Sequence, residues 1–68
     1  MRYKLGKSIN VACAMKEKTQ AELASYIGRS EATVSKYCNG KLKPSYETVD
    51  LIAEFFDMAM SDFIKLGE

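Results

Sequence analysis

One short stretch of the chain combines side-chain types that can contact nucleic-acid bases with the spacing of a helix face. After Arg29, the residues Glu31, Ala32, Ser35 and Lys36 recur at i, i+1, i+4 and i+5, which places them on one side of a helix. Lysine can donate to the O6/N7 edge of guanine, glutamate can accept from cytosine N4, and alanine can lie against a thymine methyl group. The pattern predicts a helix face suited to the major groove of a duplex.

Each of these residues also has a simpler explanation, and the sequence leaves both open. Glu31 lies in the first turn of the predicted helix, where the helix dipole favours a carboxylate. Ala32 is a strong helix former, and Lys36 can be an ordinary solvated lysine. The hydroxyl of Ser30 can cap the helix or bind a base, and Thr33 either touches phosphate or only packs.

Residues on both sides of this stretch provide donors for a phosphate backbone. Gln20 opens the preceding predicted helix, where its amide and the backbone N–H groups can bind a phosphate. Lys41 and Lys43 follow in a loop and are interpreted as phosphate clamps. Two short helices folded across a tight turn, with the second free to enter the major groove, form a helix-turn-helix.

The elements that position these side chains are predicted to be helical, because no stretch of five or more residues alternates apolar and polar side chains. Thr19 and Glu22 form a capping box, and Gly28 is the expected residue where a helix ends in a left-handed conformation. Ser30 caps the next helix, and Asn39-Gly40 ends it. We predict an all-α fold of five helices: Leu5–Lys16, one from the Thr19 cap to Gly28, one from the Ser30 cap to Asn39-Gly40, Tyr46–Phe56 after Pro44-Ser45, and Ser61–Leu66. The predicted core positions are Leu5, Ile9, Ala12, Cys13, Leu23, Ala24, Ile27, Val34, Tyr37, Cys38, Val49, Ile52, Ala53, Phe56, Phe63 and Ile64.

Length and composition restrict the class of protein. The 68 residues are 47% apolar and 28% charged, so we predict one folded domain over residues 1–68. With no histidine and two cysteines, we expect neither a zinc site nor a secreted disulfide framework. No nucleophile stands beside a base and no glycine-rich phosphate loop is present, so we expect no enzyme, no cofactor and no small-molecule substrate.

The N-terminal segment imitates a signal peptide only faintly. Arg2, Lys4 and Lys7 precede an apolar stretch, but Asn10 interrupts it and its longest apolar run is 11–15. That run is far too short to span a membrane. We therefore expect a cytoplasmic protein with no membrane partner.

The charges are divided between the two parts of the chain. Residues 1–43 carry nine Lys and Arg against three Glu, a net +6, whereas residues 44–68 carry a net −5. This division indicates a basic face for a polyanion and an acidic face held away from it. The alternative is a chance fluctuation in a small protein, which is less attractive because the basic part contains the helix-turn-helix.

The sequence resembles the Cro/repressor family of helix-turn-helix domains, also called XRE-like, which includes phage and bacterial regulators. The resemblance covers about residues 19–66. The matching residues are Thr19-Gln20-Ala21-Glu22-Leu23-Ala24, Gly28, Ser30, Val34-Ser35, Asn39-Gly40-Lys41, Pro44-Ser45, Thr48-Val49, Ile52-Ala53 and Phe56.

This resemblance implies a compact five-helix fold that binds operator DNA as a homodimer. It implies phosphate contacts at Gln20 and from Lys41 to Tyr46, including Lys43 and Ser45, and base reading from Arg29 through Lys36. Because a second domain does not fit in this length, a small Cro-like repressor is the expected form.

Four positions depart from the family pattern. Many relatives pair an arginine in the first helix with a glutamate before the Asn-Gly, and here the corresponding residues are Cys13 and Cys38. We expect these two to lie near each other as reduced core thiols; the alternatives are two unrelated small core residues or a redox switch. Lys18 replaces an apolar residue before the cap, and Ala59 replaces a capping serine of the last helix.

Phe55, Met58 and Met60 lie near the corner between the last two predicted helices, beyond what the core stripe requires. They are interpreted as the interface of a two-fold dimer, with filling of the small core as the alternative. An alternative function is an antitoxin or anti-regulator that holds a partner protein on the acidic surface of these helices.

Overall fold

A computed structural model describes residues 4–67. Five helices occupy this part of the chain: α1 (Leu5–Lys16), α2 (Gln20–Ile27), α3 (Glu31–Cys38), α4 (Tyr46–Phe55) and α5 (Met60–Lys65). The all-helical prediction is confirmed. The first helix has the predicted bounds. Arg2, which contributes to the basic half of the sequence, lies outside the described residues.

The ends of the helices follow local side-chain chemistry. Ser45 begins α4 by accepting a hydrogen bond from the Thr48 N–H at 3.2 Å. The last two helices differ from prediction by one residue. Phe56 is the residue after α4 rather than its last member, and α5 begins at Met60 instead of Ser61 and ends at Lys65 instead of Leu66. Ala59 occupies the N-cap of α5 without a side-chain hydrogen bond, because alanine has no acceptor to offer.

The core brings together side chains from all five helices. α2 packs against α3 and α4, α1 packs against α3 and α5, and α4 packs against α5. The buried apolar residues are Ile9, Ala12, Leu23, Ala24, Ile27, Val34, Tyr37, Val49, Ile52, Ala53, Phe56 and Phe63. The Phe56 and Phe63 rings stack at 6.1 Å between centroids and join α4 to α5. Leu5, Cys13, Cys38 and Ile64 are only partly buried against this core.

One buried polar group stands out in α1. The side chain of Ser8 is fully buried, and its hydroxyl has no hydrogen-bond partner among the described residues. It lies beneath Gly67, where a Cβ atom would come too close to the Ser8 hydroxyl and overlap the Lys4 carbonyl oxygen. None of the helices in residues 4–67 has the length and hydropathy needed to cross a lipid bilayer.

Candidate nucleic-acid interface

The outward side of α3 is free of the rest of the protein. Val34 and Tyr37 are buried on its inner side, whereas Glu31, Ala32 and Lys36 are exposed. This arrangement follows from the helical period, because the two apolar residues lie one turn apart and leave the opposite side to solvent. The face that the sequence predicts to be free is thus uncovered along the helix.

The turn between α2 and α3 depends on two small residues. Gly28 has φ 72°, a left-handed backbone that glycine adopts without steric cost. The next amide, that of Arg29, donates to the Ala24 carbonyl oxygen at 3.0 Å. Ala24 is buried, and its single methyl group allows the two helices to approach closely. These contacts fix α3 relative to α2 and leave the Arg29 side chain exposed.

The start of α3 uses two of the predicted contact residues for its own cap. The Ser30 Oγ accepts from the Thr33 N–H at 3.2 Å and lies 3.0 Å from the Thr33 Oγ1. Farther along, the Asn39 side-chain amide donates to the Ser35 hydroxyl at 3.5 Å. Ser30, Thr33 and Ser35 therefore have partners within α3 and its caps, whereas Glu31, Ala32 and Lys36 project from it. The Ser30 cap is confirmed.

The loop after α3 is held in a compact turn. Gly40 has φ 74°; its N–H donates to the Tyr37 carbonyl at 3.2 Å, and the Lys41 N–H donates to the Lys36 carbonyl at 2.9 Å. This pair of bonds is a Schellman motif, which satisfies the last carbonyls of the helix. The turn leads Lys41 and Lys43 into solvent.

Tyr46 and Gln20 flank this surface at the starts of α4 and α2. Tyr46 is 78% exposed, the highest value among the exposed large apolar side chains of the described residues. At α2 the predicted capping box is present: the Thr19 Oγ1 accepts from the Glu22 N–H at 3.1 Å, and the Thr19 N–H donates to the Glu22 carboxylate at 2.9 Å. The box orders the first turn beside half-buried Gln20, whose own N–H has no acceptor within the helix.

Gly6 is a positioning residue that the sequence analysis missed. It lies in the first turn of α1 against the end of α3, and a Cβ atom there would overlap the Cys38 carbonyl oxygen and press on the Tyr37 carbonyl oxygen. Only a glycine permits this approach. The contact anchors the C-terminal end of α3 to α1, and no local pattern reveals it because the two segments are distant in sequence.

The two cysteines lie where α1 meets α3. Both are reduced and half-buried against the core. Burial is the main cause that raises the pKa of each thiol, with Glu22 adding to the effect at Cys13 and the Cys13 charge adding to it at Cys38. The two thiols are therefore close enough to influence each other. A raised pKa keeps them protonated near neutral pH and weakly nucleophilic.

The residues assigned to a dimer interface are partly used within the fold. Phe55, Met58 and Met60 are half-buried and pack against the core, which is the alternative that the sequence analysis left open. The Phe55 ring lies 5.2 Å from the ring of Tyr26, and the Lys18 ammonium lies 5.5 Å above it. A cation over an aromatic face is attractive, so Lys18 helps to cover the Phe55 ring.

The comparisons with known proteins agree with this geometry. A family model described as helix-turn-helix matches residues 12–63. The solution structure of the SOS-response transcriptional repressor LexA from Eubacterium rectale is similar, with a TM-score of 0.76 and 35% sequence identity over 88% of this chain. The chain spans 64% of the length of that protein, less than two thirds. No curated protein matches the chain.

Proposed function

The chain belongs to the XRE-type helix-turn-helix family, and we propose that it is a transcriptional regulator that binds operator sites in double-stranded DNA through α3. The observation that carries this proposal is the uncovered side of α3, with the exposed side chains of Glu31, Ala32 and Lys36 opposite the buried Val34. A helix of this kind fits the major groove, where each base pair offers a distinct set of donors and acceptors.

Phosphate contacts on both sides of α3 would hold it in register. Gln20 lies at the start of α2, and Lys41 and Lys43 lie exposed in the loop after α3. Ser45 and Tyr46 follow at the start of α4. Because these contacts release counterions, binding should weaken steeply as salt is added.

The three hydroxyl residues of α3 have a supporting role in this proposal. Ser30 and Thr33 bind each other and the helix start, and Ser35 accepts from Asn39. They retain acceptor capacity for a phosphate or a base edge, since a hydroxyl oxygen has two lone pairs. Arg29, Glu31, Ala32 and Lys36 are left as the main base-contacting residues.

We further propose that the single domain binds a pseudo-palindromic operator as a homodimer, in the manner of a small Cro-like repressor. Two recognition helices on successive major-groove turns would be about 34 Å apart. The half-exposed Phe55, Met58 and Met60 at the α4–α5 corner are the assigned interface. Their partial burial in the monomer favours a weak association that DNA strengthens.

Selection of bound sites from a random pool of duplex DNA tests the proposal directly. The expected result is an enriched pair of inverted half-sites whose centres are separated by about 10 base pairs. Ala32→Glu places a carboxylate on the exposed side of α3 and should abolish enrichment. The matched control is Ala14→Glu, on the exposed side of α1, which should enrich the same site. No enrichment by the wild type at low ionic strength would overturn the proposal.

A second candidate function is that of an antitoxin or anti-regulator. It is favoured by an acidic surface near the end of α4, where Asp50, Glu54 and Asp57 surround a shallow pocket with Met58 and Met60. Such a surface suits a basic partner protein. A toxin gene beside the gene for this chain would favour this function, whereas a divergently transcribed repressor gene favours the first; the two roles are compatible.

A further inference from the structure

A groove of about 1100 Å³ lies between the start of α1, the α3–α4 loop, α4 and α5. Its floor is apolar and includes Leu5, Val49, Met60 and Ile64. The volume exceeds that of most small-molecule pockets, which range from about 300 to 1,000 Å³. Its size and open form suit a segment of polypeptide better than a compact metabolite.

The rim of this groove carries one sign of charge and two unusually exposed apolar side chains. Lys4, Lys7 and Lys43 lie along it, and none of the described lining residues is acidic. Leu42 and Tyr46, on the same rim, are 44% and 78% exposed. We refer to this surface, an apolar floor with a rim of three lysines, as the basic groove.

We propose that the basic groove binds an acidic amphipathic helix of a partner protein. Leucine-type side chains on one side of such a helix would fill the apolar floor, and its carboxylates would meet the three lysines. Recognition of a helix in a groove relies on apolar anchors at i, i+3 or i+4, and i+7. A helix of about 15 residues, about 22 Å long, is long enough to present three or four such anchors on one side.

Duplex DNA fits the basic groove less well than an acidic helix does. The exposed residues of the α3 outward side, Glu31, Ala32 and Lys36, are not among its lining, so the groove adjoins the proposed recognition surface without including it. Phosphates would also gain nothing from an apolar floor, because a charged group is not stabilised by apolar contacts.

A second copy of the chain also fits the basic groove less well. The acidic side of α4 carries Glu47, Asp50 and Glu54. Of the large exposed apolar side chains of α4, Tyr46 lies on the groove rim itself and only Leu51, at 40% exposure, is left as an anchor, because Phe55 and Met58 are half-buried against their own core. A single anchor does not fill a floor made by four apolar side chains. A separate partner with several anchors is therefore the better occupant.

Occupation of the basic groove would compete with DNA, a consequence that rests on the proposed function. Lys43 and Tyr46 border the groove and are also the proposed phosphate contacts in the loop and at the start of α4. A bound acidic helix would cover both and place its carboxylates where phosphates approach. The partner would thereby act as an inhibitor of DNA binding.

The experiment uses a fluorescein-labelled synthetic peptide of about 15 residues with leucines at i, i+4, i+7 and i+11 and glutamate at most other positions. A second peptide replaces each glutamate with lysine. Fluorescence anisotropy should show that the acidic peptide binds at least about tenfold more tightly than the basic one. Equal binding by the two peptides, or none by either, would overturn the proposal.

Two variants with matched controls locate the site. Leu42→Ser and Lys7→Glu should each weaken binding of the acidic peptide by about tenfold, whereas Leu51→Ser and Lys65→Glu, exposed outside the groove, should leave it unchanged. Circular dichroism checks that all four fold. Equal effects of variants and controls would place the peptide elsewhere and reject the proposal.

Two further measurements separate the other occupants from the proposed one. Sedimentation measures self-association of the wild type and of Lys7→Glu. If the substitution abolishes self-association, the groove binds a second copy of the chain. A loss of duplex binding in Lys7→Glu as large as the loss of peptide binding would assign it to DNA. If the protein binds the peptide but not duplex DNA at low salt, the proposal for the basic groove is supported and the proposed DNA-binding function is rejected. A peptide that binds without displacing DNA refutes only the competition.

Discussion

The α carbon of Gly6 lies so close to the carbonyl oxygen of Cys38 that a methyl group on it would overlap that oxygen. The contact joins the first turn of α1 to the last residue of α3. Because the neighbouring atoms are backbone carbonyls, they cannot rotate away as a side chain would. The position of α3 therefore depends on the absence of a side chain at residue 6.

Gly6→Ala should destabilise the fold, although alanine is the better helix former. In an exposed helix position this change stabilises by about 0.5–1 kcal/mol. Here the overlap should dominate and lower the free energy of unfolding by about 1–3 kcal/mol, a large part of the stability expected for so small a domain. Urea denaturation measures the effect. Lys7→Ala, at the exposed neighbouring position, is the control and should change stability little; a stabilising Gly6→Ala would contradict the close contact.

Ser8→Ala should raise the thermal midpoint. The Ser8 hydroxyl is buried without a partner among the described residues, and such a group costs about 1–3 kcal/mol. Its removal, together with better helix propensity, should stabilise by about 1 kcal/mol and raise Tm by roughly 4–8 °C. Ser25→Ala, on the exposed side of α2, is the control, because it measures the effect of helix propensity alone. If Ser8→Ala gained no more than Ser25→Ala, the hydroxyl would have a partner in solution.

The hydrogen bond between Tyr26 and Glu54 should make stability depend on pH in the alkaline range. The Tyr26 hydroxyl donates to the Glu54 carboxylate at 3.0 Å. This bond is the main cause that raises the pKa of Tyr26, with smaller effects from desolvation and the Glu54 charge. The folded-state pKa is therefore above the unfolded value of about 10. The stabilisation is fully present below that value and is lost as pH rises through the folded-state pKa.

Tyr26→Phe should therefore destabilise at pH near 7, and the deficit should shrink as pH rises through the folded-state pKa of Tyr26, where the wild type also loses the bond. Urea denaturation of both proteins at neutral pH and at a pH above the folded-state pKa measures this difference. Tyr46→Phe, at an exposed tyrosine, is the control and should change the free energy of unfolding little at either pH value. A deficit that grows with pH would show the opposite sign of linkage.

Local chemistry explains why much of the fold could be predicted from sequence. The caps at Thr19, Ser30 and Ser45 involve residues three positions apart, so their spacing is legible in the chain. The uncovered side of α3 follows from the same periodicity. Gly6 and Ser8 escaped because their surroundings come from residues far along the chain, Cys38 and Gly67.

The basic groove was equally inaccessible to sequence. Its rim combines Lys4 and Lys7 of the N-terminal region with Lys43 of the α3–α4 loop, and only the packing of α1 against α3 and α5 brings them together. The partial burial of Phe55 also depends on residues that are distant in sequence. The sequence placed it beyond the core stripe, but Tyr26 of α2 and Lys18 come to cover it.

Cys13 and Cys38 both pack partly buried against the core, and the Cys13 charge raises the pKa of Cys38, which predicts coupling between two charged replacements. By the family resemblance, many relatives are expected to carry arginine and glutamate at these positions, so Cys13→Arg or Cys38→Glu alone would leave a half-buried charge without its partner. Each single variant should lower the free energy of unfolding. The loss in the double variant should be smaller than the sum of the two single losses by at least about 1 kcal/mol. A double-mutant cycle by urea denaturation measures this coupling. Additive losses would show that the two side chains do not meet.

Lys36 and Lys43 should differ in how they contribute to DNA binding. Lys36 projects from the outward side of α3, whereas Lys43 is exposed in the following loop. Lys36→Ala should cost about 1–3 kcal/mol on the selected site and relax discrimination at one base pair. Lys43→Ala should weaken binding to selected and random duplexes alike. It should also reduce the slope of log affinity against log salt concentration by about one.

Anisotropy titrations on both duplexes over a range of salt concentrations measure the two effects. Lys16→Ala, at the exposed end of α1, is the matched control and should change neither affinity. The distinction rests on geometry: a side chain on the recognition helix reaches base edges, whereas one in the loop reaches only the backbone. If both substitutions lowered affinity equally for selected and random DNA, Lys36 would be a phosphate contact, and base reading would fall to the remaining exposed residues of α3.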